Sequence, residues 1–248
     1  MNLLLLEPEE VAAGGAIALD LRRATHVREV LRLGVGGRLR AGVIGGALGA
    51  AEIVRLDADA VEVTFASEAP APAPAPIDLI LAVPRPKALG RALQAAASMA
   101  VARVHLVNAW RVDKSYLASP RLTDRAIRAD LVLGAEQGVT THLPEVVLHR
   151  RLMAWFDAAE PALPVGKRVI AHARGAAMIE DAIGVGHSGP IAIAIGPEGG
   201  WIEREVETFA ARGFAVVALG APILRVEAAV VAALAQLALL ARLRPFSP

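Results

Sequence analysis

Ile191-Ala-Ile-Ala-Ile-Gly-Pro-Glu-Gly-Gly200 alternates isoleucine with alanine, carries no charge up to Ile195, and then breaks into a loop of glycine and proline. A short apolar run of this kind reads as a strand covered on both faces, as in a parallel sheet. Gly196 and the pair Gly199-Gly200 allow backbone angles that a Cβ forbids, and they let a ligand approach the main chain. Trp201 to Arg212 then reads as a helix. Its acids Glu203, Glu205 and Glu207 crowd the N-terminal half, Arg212 sits in the last turn, and Gly213 follows as a C-cap. The same order repeats at once: a strand over Phe214–Leu219, a loop Gly220-Ala-Pro-Ile-Leu-Arg225, and an almost wholly apolar helix from Val226 to about Leu243. Two such loops, one helix apart, lie at the carboxyl ends of parallel strands and can form two walls of one ligand site.

Upstream the alternation continues. Strands are expected at Ile77–Val83, Arg103–Ala109, Glu145–Arg150 and Lys167–Ala173, with the clearest helices at Pro86–Val101 and Leu122–Leu133. This pattern predicts an α/β fold with a mostly parallel sheet over residues 77–248. Glu68-Ala-Pro-Ala-Pro-Ala-Pro-Ala-Pro76 reads as an extended polyproline linker over 68–76, since proline cannot join a helix interior or a central strand. It sets apart residues 1–67, whose apolar runs Arg38–Ile44, Ala50–Leu56 and Ala60–Phe65 are broken by glycine and predict a small β-barrel or sandwich.

At 248 residues the chain can bury a substantial core. Its net charge of +1 means that any nucleic-acid surface is local rather than global. The absence of cysteine excludes disulfides, thiolate zinc sites and iron–sulfur clusters, and it fits a reducing cytoplasm. The six histidines show no metal-ligand spacing, and His172 reads as an ordinary strand-end residue, so no metal is expected. Leu3–Leu6 is too short for a signal-peptide core, and Gln236 and Arg242 interrupt the last helix. That helix falls short of the roughly 20 apolar residues a membrane span needs, so a soluble protein is expected.

The glycine loop is not a phosphate loop, because no Gly-Lys-Ser/Thr follows it, and it does not fit Gly-x-Gly-x-x-Gly. A nucleotide-like ligand without phosphates suits it better, held by backbone groups and apolar side chains; an ordinary strand-to-helix turn is the alternative.

Gly196-Pro-Glu-Gly-Gly200, Leu219-Gly220 and Ile223-Leu-Arg-Val-Glu227 together resemble the signature of the SPOUT methyltransferases, and within them the RsmE-like family. The resemblance implies a C-terminal SPOUT-type trefoil-knot domain behind a PUA-like β-barrel used on RNA. It implies transfer of a methyl group from S-adenosyl-L-methionine to N3 of a uridine in 16S ribosomal RNA, in the cytoplasm and by a homodimer. The cofactor would be held by Ile195, Gly196, Pro197, Glu198, Gly199, Gly200, Leu219, Gly220, Ala221, Ile223, Leu224 and Arg225. Arg225 is the candidate for polarising the uracil, with a structural role in the loop as the alternative. Glu227 is a candidate to orient Arg225 or to cap the last helix, and Glu198 to fix its loop through amide hydrogen bonds.

In the N-terminal part, His26-Val-Arg-Glu-Val-Leu-Arg32 also resembles the family. Arg22, Arg23, Arg28, Arg32, Arg38 and Arg40 surround the single acid Glu29, a local positive charge of the kind phosphate backbones select. Arg22, Arg23, His26, Arg28, Arg32 and Arg38 are therefore expected to touch the RNA of the small ribosomal subunit, unless they are simply solvated. A second basic region runs from Arg85 to Arg128. Three departures from the family pattern stand out: Val139 in place of arginine, and Val226 and Ala228 in place of two threonines. They leave open a different RNA target, such as a transfer-RNA ribose 2′-oxygen, or a non-catalytic RNA-binding assembly factor.

Overall fold

The computed structural model describes residues 2–175 and 177–243, which hold two sheets. The first is built from β1 (Leu4–Leu6), β2 (Ile17–Ala18), β3 (Arg38–Val43), β4 (Leu48–Leu56) and β5 (Val61–Ala69) in the order β1-β3-β4-β5-β2. Helix α1 (Pro8–Ala12) separates β1 from β2; α2 (Leu21–Thr25) follows β2 and runs into a π-helical turn, His26–Leu31. The three expected runs form β3, β4 and β5. Leu3–Leu6 supplies a strand that the sequence reading did not assign: β1 pairs parallel to β3, with Leu4 opposite Ala41. Leu4, Leu6, Ile17, Val27, Ile53, Val61 and Val63 close the interior of this curled, PUA-like sheet.

The second sheet begins at β6 (Ala75–Ala82), so the Ala-Pro run is bracketed by strands and its last two residues enter one. Pro76 is tolerated there because the β6 register against its neighbour shifts between Ala75 and Asp78, where no ladder N–H is required of it. The chain continues through α3 (Pro86–Ser98), β7 (Val101–Val107), α4 (Asp124–Gly138), β8 (Glu145–His149), α5 (Leu152–Ala158), β9 (Lys167–Ala171), β10 (Ala177–Met178), α6 (Ile179–Ile183), β11 (Ile191–Ile195), α7 (Glu203–Ala211), β12 (Ala215–Ala218) and α8 (Val226–Arg242). The strand order is β10-β12-β9-β11-β6-β7-β8, and every pair is parallel. β11 lies between β9 and β6 and is buried along its whole length, as its uncharged sequence requires. Placing this late strand between two earlier ones is compatible with the trefoil knot. On one face Trp155, Phe156, Trp201 and Phe214 surround Phe209 with ring centroids 4.7–6.0 Å away.

Two helix ends differ from expectation. α3 stops at Ser98 because Ala100 turns left-handed (φ +53°) and β7 starts at Val101. α4 runs on to Gly138, past Gly134, because that glycine is needed where α4 crosses α3. A Cβ at Gly134 would collide with the backbone carbonyl of Gln94. Gly134→Ala therefore destabilises the protein by about 1–2 kcal/mol, since overpacking outweighs the roughly 1 kcal/mol of helix propensity that alanine gains. Chemical denaturation reads the sign directly.

Beneath the β6–β8 side lies a polar cluster. Asp78 is buried, accepts a hydrogen bond from Arg103 Nε at 2.6 Å, and lies 3.6 Å from His105 Nε2. His105 Nδ1 faces His149 Nε2 at 3.2 Å. Burial, and then charge on His105, hold His149 below the ordinary histidine value of 6.5. Burial alone would raise Asp78, but His105 and Arg103 outweigh it and lower the carboxyl. The unfolded chain thus binds more protons than the folded one as pH falls, so His149 contributes stability that is complete above 6.5 and lost as pH drops through its lowered folded value. Thermal melts across this window should show a falling Tm, and His149→Gln should flatten it.

Candidate active site

Because β6, β7, β9, β11 and β12 are parallel, the loops that follow them meet along one edge of the sheet. There a cleft of about 960 Å³ opens between Gly196–Glu203 after β11 and Leu219–Arg225 after β12, with Arg111 and His172–Arg174 closing its ends. Of the expected cofactor residues, Ile195, Gly196, Pro197, Glu198, Gly199, Gly200, Leu219, Gly220, Ile223, Leu224 and Arg225 all line it. Ala221 is exposed and is not part of the wall. Arg111, His172, Trp201 and Val206 line it as well. Arg111 and His172 come from the ends of other strands, and no local motif marks them.

The glycine loop has the backbone its sequence promised. Gly200 is left-handed (φ +72°), and a Cβ on Gly196 would press to 3.1 Å of the buried Trp201 indole. Arg111 Nη1 donates to the Gly199 carbonyl at 2.6 Å and ties this loop to the one after β7. Glu205, read above as one acid of a helix N-terminus, is buried and bridges the same two loops. Its Oε2 accepts from Ile202 N at 3.0 Å and its Oε1 from Trp110 N at 2.8 Å.

A second cavity of about 540 Å³ adjoins the first and shares Glu198 and Arg225 with it. Arg85, Lys87, Ala88, Arg91 and Glu227 complete its lining, so four cations face two carboxylates. Glu198 Oε1 accepts from the backbone N–H of Arg85 at 2.9 Å, joining its loop to the start of α3 rather than bracing its own turn. Glu227 lies in the first turn of α8, where an acid is favourable, but its ion-pair partner is Arg91 at 3.6 Å. The expectation that Glu227 orients Arg225 is corrected accordingly. Arg225 is the exposed N-cap residue of α8 and belongs to no ion pair among the described residues.

The expected N-terminal RNA track is only partly free. Arg23 is a correction: it is 7% exposed, and its guanidinium is used up by Glu10, Asp20 and the Leu5 carbonyl. Hydrogen bonding to Glu10 raises its pKa further. Arg22 forks onto buried Glu136 of α4 at 2.7 and 2.8 Å. Arg28 donates to the Asp57 carbonyl, Arg38 pairs with Glu68, and His26 is half-buried. Arg32 is exposed and makes one long bond to the Glu29 carbonyl. In the second basic region Arg103 is held by Asp78 and Arg128 by Glu7.

Residues 71–238 match the model of the RNA methyltransferase domain family. The chain is 32% identical over 247 residues to ribosomal RNA small subunit methyltransferase E of Treponema pallidum, covering 95% of this chain and 90% of the relative. It is 24% identical to ribosomal RNA small subunit methyltransferase E 1 of Borreliella burgdorferi, covering 94% and 95%. A ribosomal RNA small subunit methyltransferase E from Neisseria gonorrhoeae, solved bound to S-adenosyl methionine, superposes with a TM-score of 0.74 at 24% identity, covering 96% of each chain. With the family model matched over residues 71–238 and a relative 32% identical over 95% of the chain, the chain belongs to the RsmE family of RNA methyltransferases.

Proposed function

We propose that this protein methylates N3 of a uridine in 16S ribosomal RNA of the small subunit, using S-adenosyl-L-methionine. The observation that carries the reading is the junction of two cavities at Arg225 and Glu198: a large cleft between two glycine-bearing loops, lined by apolar side chains together with Arg111, His172 and Arg174, and a smaller one rimmed by cations. The first fits S-adenosyl-L-methionine, since the side-chain-free glycines of the Gly196–Gly200 loop let a ligand come close to the main chain and Ile195, Leu219 and Leu224 offer apolar surface. The same wall has none of the lysine chemistry that a triphosphate requires. When bound, the cofactor supplies a methyl group already activated on a sulfonium.

What remains for the protein is alignment and charge. The Gly196–Gly200 and Leu219–Arg225 loops hold one reactant, and Arg85, Lys87 and Arg91 attract the anionic chain of the other. Uracil N3 becomes nucleophilic as its proton is lost to solvent and negative charge spreads to its two flanking carbonyl oxygens. Arg225, in no ion pair among the described residues and lining both cavities, stabilises that charge. Val226 and Ala228, which replace the family's threonines, leave this arginine and the glycine loop in place. The small-subunit ribosomal RNA substrate puts its work in the cytoplasm, and the apolar α8, with Val231 and Leu239 exposed, offers a face for a second copy of the chain. No described helix is long and apolar enough to cross a membrane.

The test is incubation of the protein with S-adenosyl-L-methionine and small subunits from a strain lacking this activity, followed by nucleoside mass spectrometry of the RNA. New 3-methyluridine in 16S RNA is expected. Methylation of another nucleoside would replace the target, and loss of methylation with cofactor still bound would move the substrate elsewhere.

A further inference from the structure

Trp110 stands apart from the other tryptophans. Trp155 and Trp201 are 0% and 3% exposed and packed on Phe209, whereas Trp110 is 79% exposed. Its backbone, by contrast, is firmly mounted. The Trp110 N–H is held at 2.8 Å by the buried carboxylate of Glu205, which also caps the start of α7. The next residue, Arg111, lines the cleft and is bonded to Gly199 of the glycine loop. On the other side, Asn108 Nδ2 donates to the Arg150 carbonyl at 3.0 Å. A large indole is thus fixed at the carboxyl edge of the sheet, one residue from the cleft wall, with its ring presented to solvent.

We infer that Trp110 is a nucleobase-stacking platform that positions the RNA chain entering the site, an inference that rests on the methyltransferase reading above. Indole faces stack on bases of any sequence, and an aromatic is used this way where cations hold the backbone nearby. Both parts are present. Lys114 and Arg125 follow Trp110 in sequence and are exposed, as are Arg111 and Arg121, which bond to Gly199 and Asp130, while the cation-rimmed cavity adjoins the cleft that Arg111 lines. A polyanion with exposed bases matches this surface; an apolar protein partner would have to desolvate the same cations. The N-terminal basic stretch has no aromatic residue to do this work, so a base face is left to Trp110, beside the cations of the adjoining cavity.

The test uses the full chain and two probes, oligouridylate about ten nucleotides long and an abasic ribose-phosphate oligomer of the same length. Because the other two indoles are buried, Trp110 dominates the solvent-exposed emission. Oligouridylate should quench it and the abasic oligomer should not. Trp110→Ala should weaken oligouridylate binding about 5- to 100-fold, the range for one lost stack, while Trp110→Phe keeps most of the affinity. Affinity for S-adenosyl-L-methionine should stay unchanged in both variants. Equal oligouridylate affinity in Trp110→Ala and the unsubstituted protein overturns the inference, as does absence of quenching. So does a blue shift that grows with protein concentration alone, which would place the indole between two copies of the chain. Failure of the unsubstituted protein to bind S-adenosyl-L-methionine would instead overturn the methyltransferase reading.

Discussion

Arg225→Ala lowers the single-turnover rate of methyl transfer by about 10²–10³-fold, the loss found when one preorganised donor to a developing anion is removed. The affinity for S-adenosyl-L-methionine changes little, because the cofactor wall consists mainly of the backbone and apolar side chains of Gly196–Gly200 and Leu219–Leu224. Folding is also spared, since the Arg225 side chain is exposed and belongs to no ion pair among the described residues. The split between rate and binding is what separates a catalytic arginine from a structural one. A matched loss of cofactor affinity and rate would assign Arg225 to the loop instead. Arg225→Lys recovers only part of the rate, because an ammonium cannot present two parallel donors to a planar carbonyl. Glu227→Gln provides the internal comparison. Its carboxylate faces Arg91, so it should alter capture of the RNA more than the chemical step.

Arg22→Ala destabilises the protein by about 2–3 kcal/mol, somewhat below the 3–5 kcal/mol of a fully buried pair because one partner is half exposed. The side chain of Arg22 is 48% exposed and that of Glu136 only 2%. Removing the arginine strands a carboxylate in a place where water reaches it poorly. This one pair links α2 on the first sheet to α4 on the second, beside the Asn2 N–H bond to the Glu136 carbonyl at 3.2 Å. Leu3, Leu5 and Ala135 pack around the same junction. The double variant Arg22→Met with Glu136→Met should regain most of the loss, since neither charge is then left unpaired. Denaturant unfolding of the two single variants and the double variant measures the coupling. If Arg22 served RNA alone, Arg22→Ala would leave the denaturation midpoint unchanged and reduce only RNA affinity.

The parallel sheet and the cofactor-type cleft were legible because their signals are local. Ile191–Ile195 has no polar face, so it read as a strand buried on both sides, and the glycine loop after it as a place where a ligand could approach. The strand-loop-helix order then brought Gly196–Gly200 and Leu219–Arg225 to one edge. Leu3–Leu6 was less legible, since a strand this short has no period of its own and gains its identity only by pairing with β3. The length of α4 was hidden for a related reason. Gly134 looks like a helix end in sequence, yet it is the point where α4 crosses α3.

Charge was the least legible feature. A count of arginines marks a basic stretch but does not say which guanidiniums are already spent. Arg22, Arg23 and Arg28 sit close together in sequence, but one crosses to α4, one is buried on Glu10 and Asp20, and one holds a loop carbonyl. Glu227 was expected either to orient Arg225 two residues away or to favour the start of α8; it lies in that first turn, and its carboxylate pairs with Arg91 on α3. By itself the sequence determined the class of sheet, the glycine loop at its carboxyl edge and the family, because strand burial, glycine backbone freedom and motif spacing are properties of consecutive residues. Only the tertiary structure decided which charges are free, how Arg111 and Glu205 lock the site, and that Trp110 stands in solvent beside it. Those depend on partners from other elements, in most cases tens of residues away, brought within hydrogen-bonding distance by the packing of the fold.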